Sequence, residues 1–246
     1  MDRKIVLLGI VFLASLMLGS VAGAGIGNTQ FAVYLTEPAL HPAPQAFMYV
    51  GGSNDIGSFV FPVSPQYISY LQEKYSSPLS TGSTITTTFT IPTSAVFSGN
   101  TNGGNSQINF VRIFFKAQLP EGQNTNSAIP GLNEYTYWWS NPVAYNFGPT
   151  DATPLGTTTV NGGTITVSTT TSYITVTLTV TVDPSYWSDI YGHFGTYNSS
   201  ATAGFGAAIA SITDIGLSFG SNSFFANGVG VNSGIVTFEL NSFSVG

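Results

Sequence analysis

Residues 174–182 read ITVTLTVTV, with aliphatic and threonine side chains in unbroken alternation. Successive side chains of a strand point to opposite faces. Ile174, Val176, Leu178, Val180 and Val182 therefore share one face, and Thr175, Thr177, Thr179 and Thr181 the other. A helix would scatter the same residues around its circumference. Threonine is β-branched and fits a pleated surface, while its hydroxyl can meet water. The segment is a half-buried strand and demands a sheet with one covered face. Its wet face carries no charge, and the rest of the chain shares that habit. Only 7% of residues are charged, against about 25% in ordinary globular proteins. A hydrophobic content of 43% excludes a disordered polymer.

Further strand candidates are Phe47–Val50, Ser83–Ile91, Gln107–Gln118, Tyr135–Trp139, Ser172–Val182, Gly216–Phe219 and Gly234–Val245. Turn signals Asn102-Gly103, Asn161-Gly162 and Asn227-Gly228 punctuate them, since Asn and Gly accept positive φ at low cost. TTTV (157–160), NGG and TITV (164–167) predict a hairpin. Helix is scarce. Ser64-Pro65 followed by Tyr67, Ile68, Leu71 and Tyr75 predicts a helix, with a cap, proline in the first turn and helical spacing. Asp183-Pro184 predicts one further turn or two before Trp187 and Ile190. Phe205–Ile212 fits either strand or helix. The pattern predicts an all-β fold: a jelly-roll-like or Ig-like antiparallel β-sandwich with one or two short helices and an extra N-terminal strand.

The chain opens with Asp2, Arg3 and Lys4, then an uncharged apolar run from Ile5 to Leu18, then Ala22-Gly23-Ala24. Basic start, apolar middle and an Ala-x-Ala end read as a secretory signal peptide over 1–24. A retained anchor over Ile5 to Ile26 is the alternative. Cleavage after Ala24 leaves three basic and ten acidic residues, a net charge of −7. That balance argues against nucleic acid, which needs a basic footprint, and against anionic lipid. The expected setting is extracellular, with no membrane span after cleavage. Cysteine is absent, and a core of this size does not need disulfides.

The first segment after the leader, GIGNTQFAVYLTEPALHPAPQ, alternates Phe31, Val33 and Leu35 with Ala32, Tyr34 and Thr36. Residues 25–37 thus read as a strand. Pro38, Pro42 and Pro44 follow, and residues 38–46 read as a stiff, extended leash before a body at 47–246. Two readings stay open. The strand is an edge strand of its own sandwich, or it leaves its subunit and completes the sheet of the next. In the second, Ile26, Phe31, Val33 and Leu35 form the polymerisation strand, and the prolines hold it away from its own groove.

In LGSVAGAGIGNTQFAVYL, the prolyl leash and the threonine-rich uncharged strands, the chain resembles the secreted subunits of archaeal threads and bundling pili, related in fold to TasA-type biofilm fibre proteins. The resemblance implies a β-sandwich subunit with a cleaved signal that donates its N-terminal strand to a neighbour. It implies a head-to-tail homopolymer for adhesion, biofilm or cell–cell contact, with neighbouring filaments or cell-surface glycans as further partners. Such surface filaments tend to be glycosylated. This chain offers one N-x-S/T acceptor, at Asn198-Ser199-Ser200.

Catalytic patterns are missing. There is no G-x-S-x-G elbow, and His41 and His193 belong to no metal-ligand spacing. Gly228-Val229-Gly230 opens no helix and reads as a turn. Glu121, Glu134 and Glu239 are the candidates for a glycosidase pair. Tyr135, Tyr137, Trp138 and Trp139 are candidates for sugar stacking, or for core and edge aromatics. No cofactor, metal or catalytic activity is expected. Beside the filament subunit stand two alternatives, a secreted carbohydrate-binding module and a cell-envelope lattice protein.

Overall fold

The computed structural model describes residues 31–36, 57–100, 109–122, 131–147, 155–220 and 225–246, together with the backbone of two short strands at 24–25 and 42–45. The expected leader apart from the Ala24 backbone, Ile26, Pro38, His41, Phe47–Val50 and Asn102-Gly103 lie outside the described residues.

Seventeen strands are described. The first five are β1 (Ala24–Gly25), β2 (Ala32–Thr36), β3 (Pro42–Gln45), β4 (Gly57–Val60) and β5 (Tyr67–Lys74). Next come β6 (Thr84–Pro92), β7 (Phe97–Gly99), β8 (Phe110–Ala117), β9 (Tyr137–Ser140), β10 (Tyr145–Asn146) and β11 (Gly156–Val160). The remainder are β12 (Gly163–Thr169), β13 (Tyr173–Thr181), β14 (Trp187–Ser188), β15 (Ile212–Gly220), β16 (Val229–Val231) and β17 (Thr237–Val245). One α-helix, α1 (Ser199–Ala210), precedes β15.

These strands make two antiparallel sheets packed face to face. In the first the order is β1-β17-β6-β13-β12-β11, with β4 also on β17. In the second it is β14-β9-β8-β15-β5-β16-β7, with β10 on β8, β2 on β5 and β3 on β2. The fold is the all-β sandwich that the alternating pattern predicts. The opening segment is β13, in register between β12 and β6. Val176, Leu178 and Val180 point into the core with Ile85, Phe89, Phe238 and Leu240, and meet Ile113, Phe115, Ile215, Leu217 and Phe219 of the second sheet. Phenylalanine rings bind the layers. Phe238 stacks on Phe89 (4.9 Å) and Phe59 (5.1 Å), and Phe219 meets Phe238 edge-on at 5.6 Å. Each such pair adds about 0.5–1.5 kcal/mol beyond area burial.

The predicted hairpin is β11–β12, and its turn glycine Gly162 has φ +86°. A Cβ there would sit 2.3 Å from the Tyr186 ring, so glycine is needed both for backbone and for space. Asp183 caps a single 3-10 turn at Pro184–Tyr186 by accepting from Ser185 N at 2.8 Å, as its Asp-Pro start predicts.

The helix predicted after Ser64-Pro65 does not form. Tyr67–Lys74 is the strand β5, not a helix. A register irregularity against β2 falls between Tyr34 and Leu35, where Ile68 pairs with Leu35 and Tyr70 with Tyr34. It lets Ile68 and Leu71 both reach the core three positions apart, which mimics helical spacing. A bulge of this kind breaks period two in a real strand. The ambiguous run from Phe205 resolves into the end of α1 followed by β15. The decisive signal is Asn198, whose side chain accepts from Ala201 N at 2.8 Å and caps the helix. α1 packs against β8 and β9, where Phe205 meets Phe115 and Trp138, and it also buries Ala208 and Ile209. No helix among the described residues is long and apolar enough to cross a membrane.

Candidate functional site

The N-terminal strand is the element most separable from the body. β2 runs antiparallel to β5, with Ala32 opposite Gln72, Val33 opposite Leu71 and Thr36 opposite Tyr67. Its alternation sends Phe31, Val33 and Leu35 inward, where they are 1%, 2% and 6% exposed. Phe31 reaches across the sandwich to Phe243, with ring centroids 5.7 Å apart. Burying each such side chain stabilises by about 1.5–3 kcal/mol. In this single chain the strand therefore lies in its own sheet, as the edge-strand reading expects, and not apart from it. Its position marks out a groove, consisting of the β5 edge and the pockets that hold Phe31, Val33 and Leu35.

Part of the expected leash differs as well. Pro42 and Pro44 belong to β3, opposite Thr36 and Tyr34. Both prolines have the same parity, and among the described residues β3 is paired only with β2. Their missing N–H groups thus face the open edge, the position in which a sheet tolerates proline. Prolines on that edge also blunt it against unwanted pairing.

The two outer faces of the sandwich differ chemically. On the first sheet, Thr86, Thr88 and Thr90 of β6 face Thr179, Thr177 and Thr175 of β13, with hydroxyl separations of 3.1, 2.9 and 3.4 Å. Thr157 and Thr166 repeat the contact at 2.9 Å between β11 and β12. Thr90 also donates to Asn241 Oδ1 at 2.8 Å. The hydroxyls thus satisfy one another across strands. Glu239 stands opposite Thr90 on this face.

On the second sheet, the outward positions of β5 and β8 hold Lys74, Arg112 and Lys116, the three basic residues that follow the expected leader. Lys74 Nζ lies 2.7 Å from Asp214 on the intervening β15. The hydrogen bond to Asp214 raises the Lys74 pKa above the usual lysine value. Arg112 is sandwiched between the rings of Phe110 (4.6 Å) and Phe225 (4.3 Å), and burial lowers its pKa to about 9. A cleft beside this face is lined by Lys74, Lys116, Glu121, Asn133, Thr136 and Asp214.

The other candidates are not assembled into a catalytic or sugar-stacking site. Glu121 lines the cleft, Glu239 belongs to the threonine face, and Glu134 bonds the Tyr135 side chain. Burial first, and that bond second, push the Tyr135 pKa up to about 12. Trp138 is buried in the core, where it donates from Nε1 to Tyr135 O at 2.9 Å and meets Phe205 edge-on. Trp139 is nearly buried and stacks on Tyr137 at 5.7 Å. The aromatic faces that would hold a sugar are turned on one another. His193 stacks on Tyr197 at 4.1 Å, and its Nδ1 is 3.7 Å from Asp189.

Asp189 gave no sequence signal, yet it organises this loop by accepting from Tyr191 N and His193 N. Burial raises its pKa, against the pull of those two bonds. Asn198 is exposed at the start of α1. Its Oδ1 is engaged in the cap, while Ser200 is exposed in the first helical turn. Among the described residues no group of three His, Cys, Asp or Glu side chains is placed to hold a metal.

The fold and the groove define an antiparallel β-sandwich with a peripheral N-terminal strand. No family model, curated protein or solved structure is significantly similar to the chain.

Proposed function

We propose that this chain is the structural subunit of a secreted cell-surface filament, in which residues about 25–36 complete the sheet of the next subunit. The observation that carries the reading is the construction of the groove. Three core side chains and a backbone ladder on β5 come from a terminal segment whose Gly25 also pairs with Ser244 of β17 and whose Phe31 meets Phe243. An identical strand from a neighbour makes the same contacts, so its own strand and a donated one compete on equal contact energy. Strand addition of this kind is an established assembly mode, and a head-to-tail version of it propagates instead of closing. The role is that of a scaffold and not of an enzyme. Its surface suits that role. Hydroxyls and amides do not titrate, and a threonine face whose strands carry a single carboxylate, Glu239, lets neighbouring filaments approach with little repulsion.

Deleting residues 25–36 tests the reading. The truncated chain is expected to be unstable and unable to polymerise, because its groove stays empty. The synthetic peptide GIGNTQFAVYLT is expected to restore folding and to cap growth. Normal fibres from the truncated protein, seen by negative-stain microscopy, would exclude the strand as the joint. A stable truncated monomer indifferent to the peptide would restore the plain edge-strand reading.

A further inference from the structure

β11 closes one side of the first sheet and, among the described residues, pairs only with β12. Its other edge is open. Gly156, Thr157 and Thr159 are exposed, and a Cβ on Gly156 would meet nothing within 4 Å. Sheets usually guard such an edge by keeping it short, charged, bulged or broken by proline. The other described marginal strands are short, proline-bearing or covered. β1, β10 and β14 are two residues long and β7 is three. β3 carries Pro42 and Pro44, and only Val60 of β4 is exposed. β11 has none of these devices. It is five residues long, GTTTV, pairs without irregularity, and holds neither proline nor charge. From Ala152 to Val182 the chain has no charged residue at all.

The register shows what this edge offers. Gly162 O accepts from Thr181 N at 2.8 Å. Backbone groups along a strand turn alternately to its two neighbours. Thr164 and Thr166 therefore direct theirs at β13, while Gly163, Ile165 and Val167 direct theirs at β11. The partners there are Val160, Thr158 and Gly156. The N–H and C=O groups of Thr157 and Thr159 are left pointing out of the open edge. The same two residues end rows of hydroxyls on the outer face. One row runs Thr157, Thr166, Thr177, Thr88, Ser242 across adjacent strands. The next runs in the same way from Thr159 to Ser244. Both stop at β11.

We propose that β11 is a self-pairing edge, which joins the first sheet antiparallel to the β11 of a second copy of the chain. The strand fits its own two-fold image. Turned end for end about Thr158, Thr157 stands opposite Thr159 of the second copy, and Thr159 opposite its Thr157. Both are residues whose N–H and C=O point outwards, so each pair forms a doubly bonded rung of an antiparallel ladder. Thr158 meets Thr158 of the second copy on the axis. The hydroxyl row ending at Thr157 then runs on into the row ending at Thr159 of the other copy. A second copy supplies this match in register and side chain by symmetry alone. The chain is acidic, with a net charge of −6, and at this neutral edge two copies meet without bringing charge together. One such contact is small, and contacts repeated along an assembly gain strength by avidity. The joint is lateral and uses no residue of 25–36, so it is independent of strand donation.

The chain has no cysteine, so single cysteines in the full chain report the register. Facing residues of a non-hydrogen-bonded antiparallel pair have Cα atoms about 4.5 Å apart, within disulfide reach. Thr158→Cys is expected to oxidise to a covalent dimer about tenfold faster than Thr166→Cys, one strand further in, because pairing raises the effective concentration of facing thiols. A mixture of Thr157→Cys and Thr159→Cys is expected to cross-link faster than either alone. Thr159→Pro removes an outward N–H and no ladder bond. Thr158→Cys/Thr159→Pro is therefore expected to fold, read by thermal melting, and to cross-link no faster than Thr166→Cys. If the proline variant fails to fold, Thr159→Lys takes its place, since its ammonium must be desolvated in the joint. Equal rates at positions 158 and 166 overturn self-pairing. So does fast cross-linking at 158 that survives the edge substitutions. Thr157→Cys alone outpacing the mixture refutes the two-fold match. Fibres that form without this cross-link keep strand donation and remove the lateral joint.

Discussion

Single side chains carry more of this fold than the bland composition suggests. Gly204 faces the Tyr135 ring from inside α1, and a Cβ there would fall 2.3 Å from its carbons. Gly204→Ala is expected to destabilise by about 1–3 kcal/mol through overpacking, although alanine is the better helix former, and a denaturant melt reads the sign. Asn198 caps the helix and lies in the one N-x-S/T sequence of the chain, where a glycan is an expectation, and two variants separate the cap from that expectation. Asn198→Ala should cost about 1 kcal/mol by removing the cap. Ser200→Ala should abolish any attached glycan, read as a mass change, and leave stability nearly untouched. Asp189 sets a pH dependence. Its folded pKa is raised by burial, so the native state holds the proton more tightly than the unfolded chain. Its contribution to stability therefore grows as pH falls through the acidic range and shrinks as pH rises. The melting temperature of the wild type minus that of Asp189→Asn should increase from pH 6 to pH 3. The reverse trend would show that the two backbone bonds to Asp189 outweigh its burial.

Among the elements, β2 and the threonine strands make opposite demands. β2 depends on three buried side chains, so Phe31→Ala is expected to cost about 3–5 kcal/mol and to loosen the whole strand, read by hydrogen exchange at β5. The threonine pairs are individually weak. Replacing both Thr88 and Thr177 by valine removes a donor and an acceptor together, a nearly neutral change. Cross-strand pairs of this type contribute about 0.2–1 kcal/mol. The double variant should melt close to the wild type but aggregate more readily, because the array serves solubility without charge. β5 teaches a further lesson. Its helical appearance arises from one irregularity beside Ile68, and no local signal in Tyr67–Tyr75 distinguishes that from a true helix.

At the scale of the whole molecule, the sandwich separates three surfaces: a threonine face, a face carrying all three described cations, and the open edge of β11. If β2 joins subunits, the joint is made of apolar burial and backbone hydrogen bonds. Assembled material should then resist 1 M salt, where the screening length is about 3 Å. Fibres that dissociate in salt would point to Lys74, Lys116 and the acidic residues as the contact instead.

Local sequence determined the faces of the strands, the hairpin at Asn161-Gly162 and the turn at Asp183. It also determined the inward set Phe31, Val33 and Leu35, because side-chain alternation and turn chemistry depend on near neighbours alone. The tertiary structure decided everything that depends on strand order. Lys74 and Lys116 flank Asp214 on one face because β15 lies between their strands. Thr90 finds Asn241 across 151 residues. Trp138 and Trp139, adjacent in a run of aromatics, part to opposite sides of one strand, a consequence of alternation whose meaning depends on which side holds the core. The hydroxyl row that ends at Thr157 begins at Ser242. No window of sequence contains it, since only the pairing of distant strands brings its side chains together.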